Sequence, residues 1–240
     1  MTDDATRTLD LSTKTFEEFV VFLFDRTVVG DDEQFDYFIR DPSGQPYDEF
    51  TPSAPQVLVG YMTKLFLEFG RIGSIYSLGQ LNQGIWAMLG ENLRLYELLW
   101  EASVPIEQRI ECIRSMYSVY ADFVAPSKVE VMENCFDMWW DIVAGNFWYQ
   151  HNLFVQKVRP GEVAKLDPES RRLLDAMFET LTKILALPDL RTKGFALHGL
   201  GHLHHPAVRE TVQSFIDTHR EELTEQGLRW VEQCRDGTVM

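Results

Sequence analysis

The spacing of apolar side chains is the feature that most constrains what this chain can fold into. Apolar residues recur at the helical period along most of its length, as in the run that follows Ser53 and Pro55. The apolar positions of that run are Val57, Leu58, Tyr61, Met62, Leu65, Phe66 and Phe69. Ser and Pro, which are favoured at helix starts, precede several such runs, and no segment alternates apolar and polar residues between turn signals. We therefore predict an all-α fold, an irregular helical bundle.

The predicted helices differ in the strength of their pattern. One begins at Thr15, although residues 20–24 could also form a buried strand, and a short helix covers 32–39. Four glycines between 71 and 90 predict short helices in close contact, because glycine is unfavourable inside a long helix. The remaining predicted helices cover 91–102, 105–124, 127–150, 168–187, 190–204, 207–219 and 221–235.

One linker-like stretch, VRPGEVAKLDP, occupies residues 158–168. It places Pro and Gly between two long runs of helical pattern. We predict a helical N-terminal region with an acidic start over 1–160 and a second helical region over 161–240. The two regions are expected to pack as one unit.

The segment 196–216 reads ALHGLGHLHHPAVRETVQSFI and suggests a helix, a turn and a second helix. Its apolar seam consists of Leu197, Leu200 and Leu203. Gly201 would let two backbones approach, and Pro206 suits the first turn of the next helix. The segment resembles part of a HEAT-type helical repeat, and the resemblance extends over roughly 168–235. It implies stacked antiparallel helices with a concave binding surface, and no enzymatic activity.

The formal net charge of −15 is unevenly distributed. Residues 1–52 contain 13 Asp and Glu against 4 Lys and Arg, a net −9. Nucleic acids and anionic membranes are bound through basic residues, and the chain has no basic run, so neither is expected as a partner. A field of this sign favours a protein with a basic surface. The polar N-terminus lacks the features of a secretory signal, which favours a cytoplasmic location.

The densest acidic site is the group Asp31, Asp32, Glu33 and Asp36. Aromatic residues are interleaved with it at Phe35, Tyr37 and Phe38. Charges around apolar anchors are typical of the rim of a protein interface, which would make this segment a docking face for a basic partner. Alternatively, the aromatic residues pack inward and the acidic residues form a solvated surface.

Four of the six histidines lie in the sequence HGLGHLHH, at 198, 202, 204 and 205. His198 and His202 are four residues apart, the spacing used in helix-borne metal sites. The zinc-protease pattern needs Glu after the first histidine, where this chain has Gly199, and a third and a fourth ligand are not evident. We therefore predict no metal and no other cofactor.

A second interpretation concerns the same predicted helix. Its residues Arg191, Phe195, His198 and His202 follow a 4-3-4 spacing and form one stripe, here called the 191–202 stripe. The stripe could line a concave face that binds a partner, or it could serve ordinary capping and solvation. Asp137 and Asp141 also share one helical face, which we interpret as the solvent side of their helix.

These features favour a non-enzymatic protein–protein interaction module. A concrete version is a bacterial inhibitor or immunity-type protein whose acidic N-terminal region masks a basic toxin. The competing hypothesis is a metal-dependent enzyme built around His198 and His202. The chain has no Gly-x-Ser-x-Gly elbow and no cysteine beside a histidine, so no catalytic residue is predicted.

Overall fold

A computed structural model describes residues 7–29, 45, 47–90, 93–127, 132–154 and 158–239. The secondary structure of this part of the chain is helical apart from two strands of two residues each, so the all-α prediction is confirmed. The acidic group formed by Asp31, Asp32, Glu33 and Asp36 lies outside the described residues, as does the short helix predicted over 32–39.

The chain divides into two compact units, residues 1–112 and 113–240. This division differs from the predicted boundary between 160 and 161, which stays a prediction. Within the part of the chain that is described, no helix combines the length and the apolar character needed to cross a membrane.

The first unit opens with two short parallel strands, β1 (Thr8–Leu9) and β2 (Glu49–Phe50). The carboxylate of Asp10 accepts hydrogen bonds from the backbone N–H groups of Ser12 and Ser53, at 2.9 and 3.1 Å. Asp10 thereby fastens the start of the chain to the segment that leads into the next long helix.

Two helices of the first unit begin at a capping box, one at Thr15 and one at Ser77. The helices of this unit are α1 (Phe16–Phe24), α2 (Pro55–Leu67), α3 (Phe69–Gly73), α4 (Leu78–Leu89) and the start of α5 (Ile106–Val119), with a 3-10 helix over Leu95–Trp100. Thr15 and Glu18 form a capping box at α1, which contains all of residues 20–24 and excludes the alternative of a strand there. Gly84 of α4 lies directly against Phe24 of α1, the close contact that the glycines of 71–90 predict.

The second unit follows after residue 112, inside α5. A π-helical turn over Tyr120–Val124 ends that helix. The helices that follow are α6 (Glu133–Gln150), α7 (Pro160–Val163), α8 (Pro168–Leu185), α9 (Leu190–Leu203), α10 (Val208–His219) and α11 (Glu225–Asp236).

Helix α9 is the centre of the second unit. Every residue from Phe195 to Leu203 is buried, because α6, α8, α10 and α11 all pack against this helix. Leu181 lies beside Gly199 while Asp175 bonds His205, so α8 runs antiparallel to α9. Helix α6 runs parallel to α9, a pairing between helices distant in sequence that the sequence did not predict.

Candidate functional site

The contact between α6 and α9 depends on a glycine. A Cβ atom at Gly199 would lie 2.5 Å from the Cβ of Trp140 and 2.8 Å from Leu181 Cδ2. Only a residue without a side chain lets α6 and α8 approach α9 this closely. At the end of the same contact, the indole N–H of Trp148 donates to the carbonyl of Leu203 at 3.1 Å.

This close, parallel approach brings two acidic residues of α6 opposite two histidines of α9. They are Asp137, His198, His202 and Asp141, which we call the Asp–His quartet. Its atoms form one continuous series of contacts. Asp137 Oδ1 lies 3.0 Å from Nδ1 of His198, the two Nε2 atoms lie 3.0 Å apart, and His202 Nδ1 lies 3.2 Å from Asp141 Oδ1.

The two imidazoles of the quartet are buried, whereas its carboxylates reach the surface. His198 and His202 are 5% and 8% exposed, and the side chains of Asp137 and Asp141 are 42% and 29% exposed. A buried imidazole needs a partner at each ring nitrogen, because an unpaired polar atom without water is costly. Within the quartet, both nitrogens of His198 and Nε2 of His202 have hydrogen-bond partners, and the carboxylate of Asp141 lies 3.2 Å from the remaining nitrogen.

The environment moves the pKa values of the two histidines in opposite directions. Burial is the largest influence on the pKa of His198 and lowers it, but the hydrogen bond and charge of Asp137, with the charge of Asp141, outweigh burial and raise it. The pKa of His202 is lowered, because burial and the neighbouring His198 outweigh the attraction of Asp141. Relative to an ordinary histidine, folding therefore favours the protonated form at His198 and the neutral form at His202.

The other two histidines of the HGLGHLHH motif shape the junction between α9 and α10. His204 ends α9 in the left-handed region, at φ 53°. His205 accepts a hydrogen bond from the backbone N–H of Ala207 at its Nδ1 and bonds Asp175 through its Nε2 at 3.0 Å. Its ring stacks on Phe178, and burial lowers its pKa. His205 is therefore a neutral imidazole with both nitrogens engaged.

The members of the 191–202 stripe lie against neighbouring segments of the second unit. Arg191 donates through Nη2 to the carbonyls of Ser127 and Val124, at 2.7 and 3.2 Å, and also pairs with Asp189. Phe195 is 7% exposed and packs beside other aromatic rings. With both histidines in the quartet, the stripe lines a helix–helix contact in this unit. Binding of a partner by these residues stays a prediction.

Asp137 and Asp141 are the site residues whose partners could not be predicted from the sequence. Their side chains reach the surface, as their interpretation as the solvent side of the helix implies, but they also contact the histidines of α9. No local pattern predicts which distant helix lies opposite. One signal was present in the sequence: an i, i+4 pair of acids on one helix matches the i, i+4 pair of histidines on another.

The three cysteines provide no reactive thiol. Burial raises the pKa of Cys112 and of Cys234 to about 12, and it raises that of Cys135 as well. A thiol needs its thiolate form to act as a nucleophile, so these side chains are inert near neutral pH. Among the described residues, no group of three or more His, Cys, Asp or Glu side chains is placed to hold a metal ion.

Comparison with models of protein families, with curated proteins and with solved structures finds no match to this chain. The resemblance of residues 168–235 to a HEAT-type repeat therefore stays a prediction.

Proposed function

We propose that this protein is a non-enzymatic interaction module that binds a protein with a basic surface. The observation that most supports the proposal is the outer face of α1. There Glu17 and Val21, with Asp25 directly after the end of the helix, follow one another at a spacing of four residues, and all three are exposed. The side chain of Glu17 is 78% exposed, and Val21 is 48% exposed.

In the sequence, further apolar and acidic residues follow the residues of this face. Val28, 51% exposed, follows shortly after α1, and the acidic group at residues 31–36 comes next in the sequence. Apolar side chains surrounded by charge are typical of an interface in which the apolar atoms form the centre and the charges form the rim. Negative charge would accelerate the encounter with a basic partner over about 8 Å at physiological ionic strength.

The engagement of the chemistry-bearing side chains also supports a non-enzymatic role. Three of the four ring nitrogens of His198 and His202 have hydrogen-bond partners, and the fourth lies against the carboxylate of Asp141. The thiols are buried and protonated. A reaction at either histidine would first have to break a contact between α6 and α9. In its most concrete form, the proposal is a bacterial inhibitor or immunity-type protein that masks a basic toxin.

Affinity capture from extract of the native cells, followed by identification of the captured protein, tests the proposal. The bait is compared with a Glu17→Gln, Val21→Ser, Asp25→Asn variant and with an Asp31→Asn, Asp32→Asn, Glu33→Gln variant. We expect both variants to capture the partner less well at low salt, and we expect wild-type capture to weaken as salt rises.

A matched control removes three charges from the second unit, by Glu221→Gln, Glu222→Gln and Glu225→Gln. It should leave capture unchanged, because these exposed acids lie far along the chain from α1. Equal loss in the control would mean that overall charge, and not the N-terminal face, drives binding. A captured protein with an acidic surface, or capture insensitive to salt, would contradict the proposal.

A further inference from the structure

The contact between the two imidazoles limits the number of protons that they can carry. Each ring nitrogen is either an N–H donor or a lone-pair acceptor. At 3.0 Å, the Nε2 atoms of His198 and His202 attract each other only if one of them carries a proton and the other does not. Two lone pairs, or two N–H groups, would repel at this distance.

The outer nitrogens of the same rings are limited by the carboxylates. Nδ1 of His198 lies against Asp137 and Nδ1 of His202 lies against Asp141. An ionised carboxylate only accepts hydrogen bonds, so Nδ1 of His198 must carry a proton towards Asp137. The negative charge of Asp141, 3.2 Å from Nδ1 of His202, favours a proton on that nitrogen as well. With one further proton between the Nε2 atoms, the two rings together hold one proton more than two neutral histidines do.

We propose that His198 and His202 bind and share one extra proton between their Nε2 atoms, and that this proton fastens α9 to α6. The inference goes beyond the proposed binding function, because it concerns a pH-sensitive contact in the second unit. The pair then carries one positive charge between two carboxylates, which meets the requirement that a buried charge be paired.

The titratable groups that face α9 from α8, α10 and α11 are either paired with other residues or neutral, so the charge of the histidine pair depends on α6. Asp175 of α8 is engaged by His205, and Arg209 of α10 is paired with Asp236 of α11. Cys234 of α11, next to Gly201, is a protonated thiol. Within the described residues, the charges that shift the pKa values of the pair are those of Asp137, Asp141 and the histidines themselves, in addition to burial.

The contact between the two imidazoles weakens when the pair holds either more or fewer protons than the one extra, shared proton. Without the shared proton, two lone pairs face each other, or one ring turns a lone pair towards a carboxylate. With a second extra proton, two cations touch. The raised pKa of His198 and the lowered pKa of His202 agree with a single bound proton, located chiefly on His198.

Nuclear magnetic resonance of the wild-type protein with ¹⁵N-labelled histidine tests the proposal directly. Samples are treated with chelator, so that no metal replaces the proton. Near neutral pH we expect N–H signals from both Nδ1 atoms and one downfield proton correlated with both Nε2 atoms. Two neutral rings at neutral pH, or two rings that titrate independently, would overturn the proposal.

Two isosteric variants test the role of the carboxylates. Asp141→Asn removes one charge from the quartet, so the shared-proton signal should be lost at a lower pH than in the wild type. Asp175→Asn is the matched control, because it alters the single His–Asp pair formed by His205, just after the end of α9, where no second imidazole is involved. Equal effects of both variants, or no effect of Asp141→Asn, would contradict the proposal. If a variant fails to fold, the wild-type spectrum alone tests the proposal.

Discussion

The Nε2 atoms of His198 and His202 lie 3.0 Å apart in the interior of the second unit, with a carboxylate at the outer nitrogen of each ring. His205, on the same stretch of chain, has a single carboxylate partner and a backbone donor. Only the pair formed by His198 and His202, and not His205, needs an extra proton to satisfy every ring nitrogen. The pH is therefore the first variable that should change the stability of this unit.

We predict that the free energy of unfolding is greatest near neutral pH and falls on both sides. The pKa of His198 is raised by folding, so its contribution is complete below 6.5 and is lost as pH rises through the folded value. The pKa of His202 is lowered, so the folded state resists its protonation and loses stability as pH falls below 6.5. Urea unfolding followed by circular dichroism across this pH range measures both effects.

The variant Asp137→Asn separates the two limbs of this pH dependence. Removal of the carboxylate that raises the pKa of His198 should move the loss of stability on the alkaline side to lower pH. The acidic limb from His202 should remain, because burial is its main cause. An alkaline limb at the same pH in the variant and the wild type would contradict this assignment.

The buried cysteines give a prediction that is independent of the quartet. Cys112, Cys135 and Cys234 should react with a thiol reagent in the native protein only at the rate at which the surrounding structure opens. The reason is burial, which excludes the reagent and raises the pKa of each thiol. Mass spectrometry after timed alkylation, with and without urea, counts the modified residues. Rapid labelling of any of the three without urea would contradict the prediction.

The sequence predicts helix positions well where the cap and the apolar spacing agree. Thr15 with Glu18 and Ser77 with Gln80 form capping boxes at the starts of α1 and α4. The pattern is weaker over 91–102, where the described residues, 93–102, form a 3-10 helix at Leu95–Trp100 and Arg94 adopts φ 48°. A left-handed residue before that helix is not encoded by hydrophobic periodicity.

The candidate site could be predicted only in part. The i, i+4 spacing of His198 and His202 correctly identifies side chains that share a face. The partner of that face is α6, more than fifty residues earlier in the chain, and periodicity along one helix carries no information about which helix packs against it. The 191–202 stripe is buried because of that packing, so its burial could not be predicted from the sequence pattern either.

Arg191 should contribute to stability through the turn that it holds. Its guanidinium donates to the carbonyls of Val124 and Ser127, which lie in and just after the π-helical turn that ends α5. Arg191→Ala should lower the free energy of unfolding by about 2 kcal/mol, because hydrogen bonds to a charged donor are lost. Lys193→Ala, in the same turn of α9, should change it by less than about 0.5 kcal/mol. Equal effects in urea unfolding would show that the carbonyl contacts add nothing.

Two glycines of α9 give the sharpest test of the contact with α6. A methyl group at Gly199 would overlap the Cβ of Trp140, which is fixed to the backbone of α6, so the two helices must separate. At Gly194 the same methyl group meets no atom within 4 Å. Gly194→Ala should therefore stabilise the protein by about 0.5–1 kcal/mol through helix propensity. Gly199→Ala should destabilise it by about 1–3 kcal/mol through overpacking.

The same pair of variants links packing to the shared proton. Separation of α6 from α9 in Gly199→Ala should lengthen the contacts of His198 and His202 with the carboxylates of α6. The shared-proton signal should then weaken or disappear at neutral pH, while Gly194→Ala leaves it unchanged. Urea unfolding and the ¹⁵N-histidine spectrum measure the two effects on the same samples. A destabilised Gly199→Ala protein that keeps the signal unchanged would show that the proton is held by the histidines alone, without the close approach of α6.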